Sequence, residues 1–365
     1  MMNKPIGIGV IGSGFGARVH VPAFRMLPDA VVVGIASRTP ERALSIAGRD
    51  SSLRAFASID DLIRCPDIDI VTVAVPPAEE AAIIEAAVRA GKHVFAEKPL
   101  GGNRTEAAQL LNAAKHAGIA HAVNFECREL IAFQELKQQI DDGVCGTLQR
   151  IDVHWMTGGW ADPSRLWGWQ CDLDRGGGVL TALIVHLLDT IEWVFGSVRR
   201  LQADLGISIT HRMDSAGVRR SVTAPDHCRM LLELTSSCPV VLSASQVATE
   251  GKGHWIEVHG SFGSMRVGTD TIENFGVGYR CSIRKNGKAS YEDLPLPKGI
   301  IVPPGTDGRI SHTAALAERF VQSIRNSTHN FEPSFVAGLR TRFLLDVAEL
   351  SARDGQSVEV GDSVL

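Results

Sequence analysis

Five apolar stretches in the first third of the chain, residues 5–11, 30–37, 70–75, 93–96 and 120–124, alternate with segments of helical period. This alternation constrains the fold more than any other feature. The stretches are nearly continuous in apolar residues, as strands must be when both faces of their sheet are covered. Helices expected at about Ala17–Leu27, Glu41–Gly48, Ile59–Ile63, Glu79–Ala90 and Thr105–His116 supply the covers. The pattern predicts the α/β class, with an N-terminal doubly wound parallel sheet.

The pattern changes near residue 125. A helix over Leu130–Asp141 is followed mainly by period-two strands: Gln149–Met156, Val198–Ile207, Cys228–Thr235, Val240–Val247, Trp255–Gly260, Ser264–Val267 and Tyr279–Arg284. Antiparallel hairpins fit these strands, for example around Gly260-Ser261-Phe262-Gly263. One helix interrupts them at Leu180–Val194, residues 295–306 read as a loop, and helices over His312–Arg325 and Pro333–Ala352 close the chain. A chain of 365 residues exceeds what one core usually serves. Two domains are expected: residues 1–124 as a dinucleotide-binding domain, and 125–365 as an α+β domain for substrate and oligomerisation.

Composition narrows the function classes. A net charge of −4 gives no nucleic-acid footprint and no basic patch for an anionic membrane. No apolar run approaches the roughly 18–20 residues of a membrane span. The N-terminus reads as a strand running into glycines rather than as a signal peptide. Seven scattered cysteines without a C-x-x-C argue against zinc and a disulfide framework, so a reducing cytoplasm is the expected location. The histidines show no H-E-x-x-H, there is no G-x-S-x-G elbow, and no metal site is expected.

Gly12-Ser13-Gly14-Phe15-Gly16-Ala17 sits between the first strand and the first helix. Glycines 12 and 14 allow a tight turn and close approach to a pyrophosphate, with Ala17 in place of a third glycine for helix-on-strand packing. The helix N-terminus adds free N–H groups and partial positive charge. At the end of the second strand an acid would favour NAD through the ribose 2′-hydroxyl. The chain has Ala36-Ser37-Arg38-Thr39 instead, and Ser37 and Arg38, assisted by Arg42, suit a 2′-phosphate. NADP is therefore the favoured cofactor, with NAD possible. Val75, Pro76 and Pro77, after the third long strand, complete the expected cofactor wall.

Several motifs in order carry a family resemblance: the early Gly turn, Val75-Pro76-Pro77, Ala90-Gly91-Lys92-His93-Val94, Glu97-Lys98-Pro99, Gly176-Gly177-Gly178-Val179-Leu180 with His186-Leu187-Leu188-Asp189, and His259-Gly260-Ser261-Phe262-Gly263-Ser264. Together they resemble the Gfo/Idh/MocA oxidoreductases, which include glucose–fructose oxidoreductase and inositol dehydrogenases. The resemblance covers nearly the whole chain. It implies a Rossmann domain followed by a domain with a large open, mostly antiparallel sheet. Lys98 follows a buried strand at the carboxyl edge where ligands bind in open α/β sheets. The resemblance gives it a catalytic or positioning role, with Glu97 orienting Lys98 or the cofactor and Pro99 following a cis bond. His186, in the helix after three glycines, could take the proton of a sugar hydroxyl as hydride leaves the same carbon.

Two departures from the family stand out. Many members carry Asp four residues before this histidine, where this chain has Ala182, and many carry histidine where it has Glu80. Glu126, Arg128 and Asp189 are candidate polar groups near the substrate, and Glu126 could replace the missing carboxylate. Trp160 and Trp167 lie in a Gly/Pro-containing loop with Arg165, where indole rings could stack on sugar C–H faces.

The leading expectation is an NAD(P)-dependent enzyme moving a hydride between the nicotinamide and a secondary alcohol or ketone of a sugar, polyol or sugar derivative. A non-catalytic NADP-binding regulator on the same fold, and hydride-initiated glycoside cleavage, are the alternatives. A broad sheet face with alternating apolar residues predicts a homodimer or homotetramer through that face.

Overall fold

The computed structural model describes residues 4–272, 274–300, 303, 305–328 and 331–361. Along the first 126 residues run β1 (Ile6–Ile11), α1 (Val21–Arg25), β2 (Ala30–Ala36), α2 (Pro40–Ala47), β3 (Arg54–Ala55), α3 (Ile59–Arg64), β4 (Ile70–Val73), α4 (Pro77–Arg89), β5 (His93–Ala96), α5 (Arg104–Ala117) and β6 (His121–Val123). Then come α6 (Ile131–Asp141), β7 (Leu148–Met156), α7 (Val185–Phe195), β8 (Val198–Gly206), β9 (His211–Met213), β10 (Arg219–Ser221), β11 (His227–Leu234), β12 (Pro239–Ser245), β13 (Gly253–Gly260), β14 (Gly263–Thr269), β15 (Arg280–Lys285) and β16 (Glu292–Asp293). The chain ends with α8 (Arg309–Arg325), α9 (Phe335–Asp354) and β17 (Val358–Glu359).

Two compact units result, residues 1–126 with 300–342, and residues 127–299 with 343–365. The first holds a six-stranded sheet in the order β3-β2-β1-β4-β5-β6, parallel throughout. The order reverses direction between β1 and β4, so their carboxyl ends form the crevice where such sheets bind ligands. β1 and β4 are buried along their whole length, which explains their unbroken apolar sequence.

The division differs from the expected cut at 124/125. Helix α8 places Ile310, Ala314, Ala317, Phe320 and Val321 in one core with Val19, Phe24 and Phe95. Phe95 lies edge-on to Phe24, 5.4 Å away, and Phe320 lies 5.9 Å from Phe95. These positions recur at helical spacing, so α8 has one apolar stripe, and that stripe covers the parallel sheet. The start of α9 joins the same unit, with Phe335 stacked on His121 at 4.7 Å.

The second unit holds a nine-stranded sheet in the order β16-β15-β14-β13-β7-β12-β11-β8-β17. All its pairs are antiparallel except β7 with β12. The β13–β14 pair closes through Gly260–Gly263, where the sequence predicts a hairpin. The short β9–β10 hairpin stands apart from this sheet. It was not anticipated, because three-residue strands leave no period to read.

Two expectations change here. Among the described residues one helical stretch, Leu173–Phe195, is long and apolar enough to cross a membrane by length and composition alone, but it is mostly buried and serves as a core helix of the second unit. The outward face of β8 and β11 is charged rather than apolar. Arg199 and Arg200 pair with Glu233, and Arg229 with Asp204, around an exposed Leu231. All seven cysteines are buried, and none forms a disulfide.

Candidate active site

The Gly-rich turn leaves β1 at its carboxyl end. Gly12 has a φ of +130°, and a Cβ there would stand 2.2 Å from the Ala74 carbonyl oxygen, so only glycine fits. Gly14 is the reverse case: it is exposed and a Cβ would meet open space, which leaves its backbone approachable by a ligand. The close helix-on-strand contact expected at Ala17 falls at Gly16 instead. An added Cβ at Gly16 would lie 3.0 Å from Val10 Cγ1, whereas Ala17 is half-buried at the edge of the core. The reason is a π-helical turn over Gly16–His20, which shifts the register before α1 begins. A tight turn with an open, glycine-lined side fits a dinucleotide's diphosphate.

At the end of β2, the Ser37 hydroxyl donates to Ser13 Oγ at 3.1 Å and accepts from Thr39 N at 3.3 Å. Arg38 is exposed and ion-paired with Glu79 in the first turn of α4. Arg42 is exposed on α2. Pro77 starts α4 with Pro76 as the residue before its first turn, and Val75 is half-buried before them.

β5 ends in Glu97-Lys98-Pro99, and the Lys98–Pro99 bond is cis, as expected. Glu97 is buried; its Oε1 lies 2.9 Å from His20 Nε2 and accepts from Asn124 Nδ2 at 2.7 Å. Burial pushes the Glu97 carboxyl up, but His20, Lys98 and Asn124 together outweigh it and hold the group below its ordinary range. Lys98 is half-buried and lies within electrostatic reach of three carboxyl groups, those of Glu80, Glu97 and Glu126. Glu80 accepts from Gly101 N at 2.8 Å, and burial drives its carboxyl well up, toward the neutral form. Glu126 is 3% exposed, and burial with the nearby Glu97 charge pushes it up to about 7, against the pull of Lys98 and Arg309. One lysine is therefore flanked by a carboxylate held toward its ionised form, a carboxyl pushed toward its neutral form and a carboxyl that titrates near neutrality.

In the second unit a π-helical turn over Leu180–Ile184 precedes α7, and His186 is the second residue of α7. Gly178, with a φ of +98°, abuts Pro225; an added Cβ there would lie 2.8 Å from the Pro225 oxygen. The glycine run thus seats the helix start tightly, as the sequence suggested. His186 is 4% exposed, and its ring lies 6.2 Å from Trp155, tilted by 44°. Trp155 is stacked in turn on His254 at 4.3 Å, and His254 Nδ1 lies 2.8 Å from the Tyr279 hydroxyl. Burial holds the His254 imidazole down at about 3, so it is neutral at physiological pH.

Other candidates are engaged within this unit. Asp189 does not replace the missing acid at Ala182. It accepts two bonds from Arg128, Nε to Oδ2 at 2.9 Å and Nη2 to Oδ1 at 2.6 Å, in a buried bidentate pair. Arg128 and Asp189 are thus held to each other within the second unit. Trp160 lies under the Arg165 guanidinium at 3.8 Å. The loop carrying them is anchored by buried Arg212, which donates to the carbonyls of Trp160, Asp162 and Arg165. Trp167 donates from Nε1 to the Ser221 carbonyl on β10 at 2.9 Å.

Residues 6–125 match the oxidoreductase family model with an NAD-binding Rossmann fold, and residues 133–266 match the GFO/IDH/MocA C-terminal domain. The chain belongs to the GFO/IDH/MocA oxidoreductase family. An uncharacterized oxidoreductase, sll0816, of Synechocystis sp. is 31% identical over 97% of this chain and 96% of its own length. The levoglucosan dehydrogenase of Pseudarthrobacter phenanthrenivorans is 27% identical over 97% of this chain and 98% of its own. A solved levoglucosan dehydrogenase in complex with NADH and levoglucosan has the same fold, with a TM-score of 0.88 over 99% of this chain and 100% of that one, at 23% identity.

Against this family background, the sequence reading missed His20, Asn124, Asp307 and Arg309. His20 lies four residues past Gly16 on the face turned to β5, and Asn124 directly follows β6; those spacings were the available signals. Arg309 lies 5.0 Å from the Phe15 ring, and no local pattern ties residues so far apart in the chain.

Proposed function

We propose that this GFO/IDH/MocA oxidoreductase is an NAD(P)-dependent dehydrogenase or reductase of a secondary alcohol, or its ketone, on a sugar, polyol or sugar derivative. The observation that carries the reading is Lys98, half-buried after β5 amid Glu80, Glu97 and Glu126. The name of the levoglucosan dehydrogenase relative supports a carbohydrate as the substrate class. The bound nicotinamide supplies the hydride acceptor for oxidation, or the donor for reduction.

In the oxidative direction, Lys98 bonds the substrate hydroxyl oxygen. Glu97, fixed by His20 and Asn124, holds the ammonium in place and does not itself titrate in the working range. The hydroxyl proton leaves as the carbon gives up hydride, and the product is the ketone. Glu126, within electrostatic reach of Lys98, accepts that proton, since its carboxyl titrates at about 7. Trp160, Arg165 and Trp167 form a loop that supports the substrate domain.

NADP is the favoured cofactor. The hydroxyl of Ser37 and the guanidinium of Arg38 at the end of β2 support that reading, and a 2′-phosphate would compete with Glu79 for Arg38. A sugar and polyol panel followed at 340 nm with either nicotinamide tests the activity. Turnover of a carbohydrate that falls at least about 100-fold in Lys98→Met, with cofactor affinity kept, is the expected outcome. Tight cofactor binding without turnover of any sugar or polyol would refute the enzyme reading and favour a regulator.

A further inference from the structure

We propose that Arg309 and Arg18, bridged by Asp307, form a cationic clamp for the nicotinamide-side phosphate of the cofactor diphosphate. The inference rests on the dinucleotide reading of the Gly-rich turn and adds two side chains to a site otherwise built from backbone.

Phe15 sits in the middle of the turn. The Arg309 guanidinium carbon lies 5.0 Å from its ring centroid, and that of Arg18 lies 5.9 Å from it. Asp307 joins the two arginines: its Oδ2 accepts from Arg18 Nε at 3.1 Å and from Arg309 Nη2 at 2.6 Å, and its Oδ1 accepts from Arg309 Nε at 2.8 Å. Two guanidiniums meet one carboxylate here, so these three side chains by themselves carry one net positive charge. The Arg18 side chain is 60% exposed, so that charge faces solvent beside the turn rather than the core.

The location selects the ligand. Gly14, next to Phe15, is exposed with open space around its α-carbon, where a phosphate meets backbone N–H groups. Arg309 also lies within electrostatic reach of Glu97 and Glu126, so it stands toward the Lys98 end of the turn. The phosphate nearer the nicotinamide belongs at that end. A planar guanidinium can give two parallel N–H bonds to phosphate oxygens, and Asp307 fixes its plane in advance.

Titration calorimetry on the full chain tests the clamp with ADP-ribose, which carries both phosphates, and AMP, which carries only the adenosine-side one. Their 2′-phosphorylated forms replace them where the wild type binds those more tightly. Arg309→Met should weaken ADP-ribose about ten-fold and leave AMP within about two-fold. Arg18→Met, at an exposed side chain that the fold tolerates, should weaken ADP-ribose about three-fold with AMP again unchanged. Equal losses for both ligands, or unchanged ADP-ribose affinity in Arg18→Met, would overturn the clamp while leaving the dinucleotide site intact. Failure of the wild type to bind either ligand would sink both.

Discussion

Oε1 of Glu97 stands 2.9 Å from Nε2 of His20, and the same oxygen receives the Asn124 amide. The glutamate beside the lysine is therefore fixed from two elements, the helix after the Gly-rich turn and the segment after β6. Its carboxyl is held below the ordinary range, so its contribution is present above the unfolded value and is lost as pH falls through the folded one. Glu97→Gln should lower stability at pH 7, and the gap to wild type should close on acidification below about pH 4. Thermal melts across pH read this. A gap independent of pH would show that the carboxylate's charge is not what matters.

Glu126 has the opposite sign. Its carboxyl is raised from 4.5 in the unfolded chain to about 7 when folded. Ionisation therefore costs nothing below pH 4.5, costs progressively more between these values, and costs its full amount above pH 7. Glu126→Gln should be neutral in stability at pH 4 and stabilising at pH 8, by up to about 3 kcal/mol. The same variant should lose any kinetic ionisation near neutrality. An unaltered pH–rate profile would remove Glu126 from proton handling.

Cofactor choice turns on Arg38 and Glu79. Arg38→Ala should weaken NADPH more than NADH, by roughly ten-fold in the ratio. Glu79→Gln, which frees the guanidinium, should tilt the ratio the other way. Fluorescence titration with both reduced cofactors measures this. Equal effects on the two cofactors would mean that Arg38 does not read the 2′ position.

The Arg128–Asp189 pair is buried, with side-chain exposures of 12% and 2%. Removing only the arginine strands a carboxylate in the core, so Arg128→Met should cost about 3–5 kcal/mol in denaturant unfolding. The double variant Arg128→Met with Asp189→Asn should recover part of that loss. If Arg128→Met were as stable as wild type but raised the substrate KM, the pair would be a substrate contact after all.

The two folded architectures were legible because their signals are local. Continuous apolar runs marked β1 and β4, and alternation marked β11, whose buried and exposed residues follow period two. Gly12 was legible because its φ excludes other residues. The unit that α8 joins was not legible. Its apolar stripe could be read, but a stripe does not name its partner, and Phe320 meets Phe95 only once the chain has folded. The same limit hid the pairing of Arg128 with Asp189 and the packing role of Gly16.

The sequence by itself determined the strand order's raw material, the Gly-rich turn, and the lysine that follows β5, because propensity, periodicity and backbone sterics act over a few residues. Tertiary structure alone decided which charges answer one another: His20 with Glu97, Arg38 with Glu79, Asp307 with Arg18 and Arg309. Most of these partners are tens to hundreds of residues apart, and Asp307 with Arg309 shows that even near neighbours join a site only when the fold brings that site to them. Charge interactions depend on distance through space and on burial, and neither is written in the order of the residues.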